Sequence, residues 1–330
     1  MKKIIIILFT ILLLSSCTSK SFDGKDRPSN RGQLQVVDNK LCGEDGNTIM
    51  LRGISNNGVS ISERYINQEC FDDIAKVMGV NVIRMSLYTS GTGTVGYCNG
   101  GDKNRLKQDI YKAVEYAKNS DMYIIIDWHV LQDQNPNKYI EDAKIFFDEM
   151  SNELKDEKHI IYEICNEPNN CTWDEVVEYA NTIIPIIRNN DENSLILVGS
   201  PDWSKDLKEI YDKPLSYDNI MYTFHFYAET HKQEYQDIVK EYSQKGLPIF
   251  ISEFGICTAS AGFPINEEEA NKWIELCENE GISYVMWSFA KNGEPCSAIS
   301  TQCVKTKDFT YDDFSFAGKW LIDTIKKNTN

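Results

Sequence analysis

Histidine is scarce in this chain, with four among 330 residues. None of the ten cysteines stands at a spacing that would complete a zinc site, so a metal-based reaction lacks ligands and no cofactor is expected. Basic residues are also short. Lys and Arg number 34 against 50 Asp and Glu, a formal charge of −16. That balance excludes nucleic acid as a partner, because such binding relies on neutralising phosphates. The stretch Gly53-Ile54-Ser55-Asn56-Asn57-Gly58 is not the glycine-rich phosphate loop that a doubly wound sheet carries after its first strand. No internal repeat and no second domain are visible. An acidic chain with 11% aromatics suits a soluble enzyme acting on a neutral ligand.

The apolar run Ile4–Leu14 is too short to span a membrane. Lys2 and Lys3 precede it, and Leu14-Ser15-Ser16-Cys17 follows. This order reads as an export signal over 1–16. The four residues resemble a bacterial lipobox, which implies cleavage before Cys17 and lipidation of its thiol. Residues 17–32 are polar and read as a tether. An exported, lipid-anchored location at the cell envelope is therefore expected, or secretion if Cys17 stays bare. Export permits disulfides. Cys296 and Cys303 lie close in one loop and are the expected bridge, with an odd cysteine left over once Cys17 is set aside.

Eight short apolar runs alternate with longer amphipathic segments. The runs are Ile49–Ser55, Asn81–Leu87, Tyr123–Trp128, Ile160–Cys165, Leu195–Gly199, Ile220–Phe226, Pro248–Phe254 and Ile282–Phe289. Most are too continuously apolar for a strand wetted on one face and fit strands buried on both. Helical spacing marks Lys103–Asn119, Lys138–Glu157, Asp174–Arg188, Lys232–Gln244, Glu267–Glu280 and Asp312–Ile325. The alternation predicts an α/β fold, a single (β/α)8 TIM barrel over 33–330. The turn signal Glu44-Asp45-Gly46-Asn47 adds a small N-terminal β-hairpin at the barrel floor.

Chemistry in such barrels stands at the C-terminal ends of the strands. There the sequence places Arg52 and Asn57, Arg84 and Tyr88, Asp127-Trp128-His129, Asn166-Glu167-Pro168, Trp203, His225-Phe226-Tyr227, Ser252-Glu253-Phe254 and Trp287. So many polar groups are costly to bury without a use. Glu167 and Glu253 end the fourth and seventh runs and would face each other across the mouth. Two facing carboxyl groups are what cleavage of a glycosidic bond needs: one protonates the leaving oxygen, the other attacks or stabilises the anomeric carbon. Tyr227 and Arg84 would hold Glu253 ionised. Trp203 and Trp287 would offer flat faces to sugar rings. Glu63, Glu141, Glu163 and Glu294 read as solvated or ion-paired glutamates.

These residues resemble glycoside hydrolase family 5, in its bacterial endoglucanase branch. The resemblance rests on Leu51-Arg52-Gly53, Asn81-Val82-Ile83-Arg84, Tyr88-Thr89-Ser90, Ile125-Ile126-Asp127-Trp128-His129, Asn166-Glu167-Pro168, Phe224-His225-Phe226-Tyr227-Ala228 and Ser252-Glu253 before Gly255. It implies that Glu167 is the acid/base and Glu253 the nucleophile of a retaining endo-β-1,4-glucanase. Arg84, His129, Asn166, His225 and Tyr227 would surround the cleaved sugar. Tyr88, Trp203, Trp287, Asn57 and Lys291 would contact neighbouring sugars. The expected partner is a β-glucan chain, and a monomer is expected. Departures from the family pattern are Asn57-Gly58 for a His-Gly pair, Ile61 and Ser62 where an aromatic platform is common, Phe254 for a Trp, and Lys291 shifted by one position. They leave the machinery intact and bear on the polymer preferred. A related β-glycanase, acting on mixed-linkage glucan, glucomannan or mannan, is the alternative. A non-catalytic glycan-binding lipoprotein is the other.

Overall fold

A computed structural model describes residues 24, 26–91 and 95–329 of the chain. The export signal and Cys17 lie outside the described residues. A two-stranded hairpin, β1 (Gln35–Val37) and β2 (Lys40–Cys42), precedes eight parallel strands. These are β3 (Arg52–Asn56), β4 (Val82–Tyr88), β5 (Tyr123–His129), β6 (Ile160–Glu163), β7 (Leu195–Val198), β8 (Ile220–Tyr227), β9 (Ile249–Gly255) and β10 (Tyr284–Phe289). They close into a barrel in sequence order, with β10 pairing β3. Each of the eight apolar runs overlaps one barrel strand, and five of the strands run one residue further.

Helices form where the sequence supplies a cap and an apolar stripe. Asp102 accepts from the Arg105 amide at 3.1 Å and opens the helix Lys103–Asn119, whose buried side is Leu106, Ile110, Ala113, Val114 and Ala117. Thr172 and Glu175 form a capping box at the start of Trp173–Asn190. The last helix runs Phe316–Thr329, not from Asp312, because Thr310 and Asp313 close a separate 3-10 turn first. Gln68–Asp73, with its π-helical extension Ile74–Met78, fills the gap between β3 and β4 and adds a helix to those that the spacing predicts.

Alternation along the strands makes two cores. Alternate strand positions such as Val82, Tyr123, Ile125, Ile161, Leu195, Leu197, Met221, Phe250 and Val285 fill the barrel floor. Leu34 and Leu41 of the hairpin segment plug that floor from below. The intervening positions pack outward against the helices. The hairpin turns at Asp38, where φ is 56°. The Glu44–Asn47 signal closes the next turn instead, after which Cys42 bridges Thr48. Residues 26–32 also belong to the floor, which shortens the expected tether. Arg27 is buried and donates to the carbonyls of Asp121, Ala75 and Val80, and Ser29 bonds Asp121.

One irregularity positions the site. Thr223 pairs with Phe250 but His225 pairs with Glu253, so β9 carries an extra residue against β8. The same shift appears against β10. Such a bulge re-aims side chains. Phe250 faces the interior and Ile251 the helices, yet both Ser252 and Glu253 then reach interior partners. Phe254 returns to the outer layer, stacked on Phe226.

The expected bridge between Cys296 and Cys303 does not form. Cys296 pairs with Cys257, their Cα atoms 6.1 Å apart. The loop after β10 folds back on its own strand through Ser288 and Ala298, which sets Cys296 over the end of β9. Cys303 is carried onward to a buried place beside Asp313. The bridge closes a separation of 39 residues, worth about 3–4 kcal/mol of restricted unfolded-chain entropy. The double variant Cys257→Ala/Cys296→Ala should lose about that much stability in guanidinium unfolding, with reduced wild type matching it; an unmoved midpoint would contradict the assignment.

Candidate active site

The mouth of the barrel is built around Arg84, which is fully buried on β4. Its guanidinium reaches Glu163 at 2.6 Å, Asp127 at 3.0 Å and Glu253 at 3.1 Å. It also donates to the Asn166 side-chain oxygen at 2.6 Å. Burial alone would weaken its hold on its proton, but the three carboxylates raise it well above the ordinary arginine value. Of its two expected readings, solvated or ion-paired, Glu163 takes the second. It is sealed in the interior and also accepts from the Ser252 hydroxyl at 2.7 Å. A charge between Tyr162 and Ile164, in an otherwise apolar run, was the available signal. Asp127 and Ser252, which the sequence places at the strand ends without a role, join the same cluster. Glu63 and Glu141 are ion-paired at the surface, to Arg105 and Lys144.

Glu167 stands just beyond β6. Its amide donates to Val130 O at 3.0 Å, and that of Asn166 to Trp128 O at 3.2 Å, so the turn is laced to the end of β5. The Asn169 side chain clamps it from the other side through Glu167 O and Leu131 O. The Glu167 carboxyl is 12% exposed and lies 2.9 Å from His225 Nδ1. Glu253 is 5% exposed, and accepts from Tyr227 Oη at 2.8 Å and from Arg84. One carboxylate oxygen of each glutamate and a ring nitrogen of His225 all lie within 4.8 Å of one another.

The two carboxyls have different surroundings. Burial pushes Glu167 up to about 8, against the pull of Arg84 and Lys205 and with help from Asp127 and Glu163. Burial and the Glu167 carboxyl also push Glu253 upward, while His225, Arg84 and His129 hold it back. Glu253 has two fixed donors, which favour its charged form. Burial drives Tyr227 well above its ordinary value, so it keeps the proton that it donates. Burial lowers His225 to about 4 and His129 to about 3, and Asp127 is pushed up to about 7 despite Arg84. Both rings are thus neutral near pH 7, each with one donor and one acceptor nitrogen.

The remaining expected residues arrange around this pair. His129 bonds Asp127 through Nδ1 at 2.6 Å. It is flanked by Tyr88, 4.2 Å between ring centres, and by Trp287, 5.5 Å away and near parallel. Trp203 is 47% exposed at the mouth, its amide bonded to Pro168 O. Asp202, Trp203 and Ser204 all adopt left-handed φ angles of 57°, 55° and 56°. Each costs about 1 kcal/mol or more, and the bond from Ser204 Oγ to Asn166 O at 2.6 Å helps hold the kink. Asn57 and Lys291 lie on mouth loops, without hydrogen-bond or ion-pair partners among the described residues. Phe254 packs against Tyr284 and Trp320, outside the barrel, so this departure does not touch the site. A surface groove of about 1500 Å³, lined by Gln33, Val36, Arg188 and Asn219 among others, opens beside the hairpin, away from both glutamates.

Taking away the central cation leaves buried carboxylates uncompensated. Arg84→Met should cost about 3–5 kcal/mol of stability at pH 7. The deficit should shrink as pH falls and the acids neutralise. Chemical unfolding across pH measures both; an equal deficit at every pH would be inconsistent with this account.

Residues 42–293 match the family model of the cellulases, glycosyl hydrolase family 5. Endoglucanase A of Butyrivibrio fibrisolvens is 44% identical over 300 residues, 90% of this chain and 69% of that protein. An endoglucanase of Clostridium saccharobutylicum is 37% identical over 98% of this chain and 70% of its own length. Among solved structures, the cellulase Cel5C_n superposes with a TM-score of 0.87 at 34% identity, over 92% of this chain and 95% of that one. The catalytic domain of Thermobifida fusca endoglucanase Cel5A, solved with cellotetraose, gives 0.86 at 27% identity over 91% and 99%. The paired glutamates at the barrel mouth and these matches lead to one statement: the chain belongs to the cellulases of glycosyl hydrolase family 5.

Proposed function

We propose that the chain is a retaining endo-β-1,4-glucanase working by double displacement. One observation carries this reading: two carboxyl groups approach within 4.8 Å across the mouth, one kept as an acid and one held by two donors. Retaining enzymes bring their carboxyls to roughly 5–5.5 Å, whereas inverting ones leave room for a water between them. Glu167 protonates the leaving glycosidic oxygen. Glu253 attacks the anomeric carbon and forms the glycosyl ester. Glu167, now a carboxylate, takes a proton from water as that water opens the ester, which restores both groups. Asn166 and His129 bond hydroxyls of the cleaved sugar. Trp203, Trp287 and Tyr88 carry neighbouring rings on apolar faces.

Glu167→Ala or Glu253→Ala should lower turnover by several orders of magnitude while sugar binding survives, and undiminished hydrolysis would refute the roles. Proton NMR of early products should show net retention. The acid is lost as pH rises through about 8, so kcat/KM should fall on that side; it should fall on the acid side as Glu253 takes up a proton. Carboxymethyl-cellulose, barley β-glucan and mannan assayed in parallel test the polymer, and activity on mannan alone would overturn the glucanase reading. We further propose export and lipid anchoring at Cys17, supported by the Leu14-Ser15-Ser16-Cys17 stretch behind a short apolar run. Cys17→Ser should release the enzyme from membranes, and wild type found wholly soluble would count against the anchor.

A further inference from the structure

Beneath the two glutamates runs a chain of hydrogen bonds that the reaction scheme above does not use. Ser252 Oγ donates to Glu163 Oε1 at 2.7 Å. The carboxylate is fixed there because its other oxygen holds Arg84 Nε at 2.6 Å. A hydroxyl has one proton, so Ser252 is left as an acceptor toward His225 Nε2, 2.9 Å away. His225 must then carry its proton on Nε2. Its Nδ1 is a bare lone pair, and that lone pair faces Glu167 Oε1 at 2.9 Å. Two lone pairs in contact repel; the bond exists when Glu167 carries the proton.

We propose that Glu163, acting through Ser252, is a positioning residue that fixes the tautomer of His225 and so keeps the acid proton on Glu167. The proposal rests on Glu167 being the acid/base and says what holds it in that state. The polarity runs one way, from Glu167 O–H to His225 Nδ1, from Nε2–H to Ser252 and from its hydroxyl to Glu163. A turn of the Glu167 carboxyl group brings the same O–H to the scissile oxygen. After that transfer the carboxylate sits opposite an unprotonated nitrogen, which favours recapture of a proton from the attacking water. Only Glu167 gives up a proton, to the leaving oxygen, and regains one from the attacking water; His225 and Ser252 keep theirs throughout. Bulging of β9 makes the arrangement possible, because it lets adjacent residues, Ser252 and Glu253, serve the acid and the nucleophile separately.

Other charges also face the pair. Arg84 from β4, Asp127 and His129 from β5, Lys205 beyond β7, His231 beyond β8 and Glu253 from β9 all act on Glu167 or His225. Substitution at Ser252 leaves every one of these charges in place and alters only the polarity of the relay, whereas Glu163→Gln also removes a carboxylate that itself raises Glu167. In Glu163→Gln the amide oxygen can keep Arg84 while its NH2 donates to Ser252, which reverses every bond and places Nδ1–H against Glu167. Ser252→Ala deletes the link and frees the ring to do the same.

The test is the pH dependence of kcat/KM on a cello-oligosaccharide and on a 2,4-dinitrophenyl cellobioside, whose leaving group departs without a proton. Both variants should move the alkaline limb on the oligosaccharide down by about one pH unit, a roughly tenfold loss at the wild-type limb. The dinitrophenyl substrate should keep its plateau, and Ser252→Thr, which retains the hydroxyl, should restore the limb. Histidine 15N NMR of the whole wild-type protein should show His225 as the Nε2–H tautomer. An alkaline limb unmoved in Ser252→Ala, or an Nδ1–H tautomer in wild type, overturns the proposal even if Glu163→Gln fails to fold. Glu167→Gln on the same two substrates separates the failures. Equal losses on both would instead remove the acid/base assignment beneath it.

Discussion

The guanidinium of Arg84 is sealed from water and shared by Asp127, Glu163 and Glu253 at 2.6–3.1 Å. A single cation cannot neutralise three carboxylates and Glu167 as well. Desolvating an unpaired charge is expensive enough that the group gives up its charge instead. The interior therefore has more acids than it can ionise, and the excess proton settles on the group with the fewest donors. Glu253 takes Arg84 and Tyr227; Glu167 faces only an imidazole nitrogen that accepts. The division of labour between two chemically identical side chains follows from that unequal supply of donors.

The fold delivers this imbalance through its layering. Apolar residues close the barrel floor, with Leu34 and Leu41 as plugs. Above them six of the eight strands turn polar side chains inward, at Ser55, Arg84, Asp127, Glu163, Thr223, His225 and Ser252, all buried. Those groups find partners both on the adjacent strand, as His225 does in Ser252, and across the barrel, as Arg84 and Ser252 do in Glu163. The two carboxyls thus stand on a buried polar stratum, with Tyr88 and Trp287 on strands beside it and Trp203 on the segment after β7.

Much of this was legible in the sequence. Strands buried on both faces read as continuous apolar runs, and polar residues at their ends stood out against them. Glu167 and Glu253 were found because each closes such a run. What escaped depended on registry and on distant packing. Glu163 reads as an ordinary glutamate until Arg84 and Ser252 are seen beside it. The extra residue in β9 shows in sequence only as two polar neighbours, Ser252 and Glu253, where alternation allows one. The partner of Cys296 was misread because nearness along the chain stood in for nearness in space, whereas the loop after β10 crosses to the end of β9. Residues 26–32 looked like tether because the carbonyls that anchor Arg27 belong to segments far along the chain.

The bulge in β9 also bears on how such barrels can be redesigned. A scaffold optimised for uniform strand geometry would delete the surplus residue, since unpaired backbone in a ladder looks like a fault. The shortened strand could point either Ser252 or Glu253 inward, never both. Ideality and reactivity therefore pull in opposite directions at this one position, and a stable, well-ordered copy of the fold could be catalytically silent.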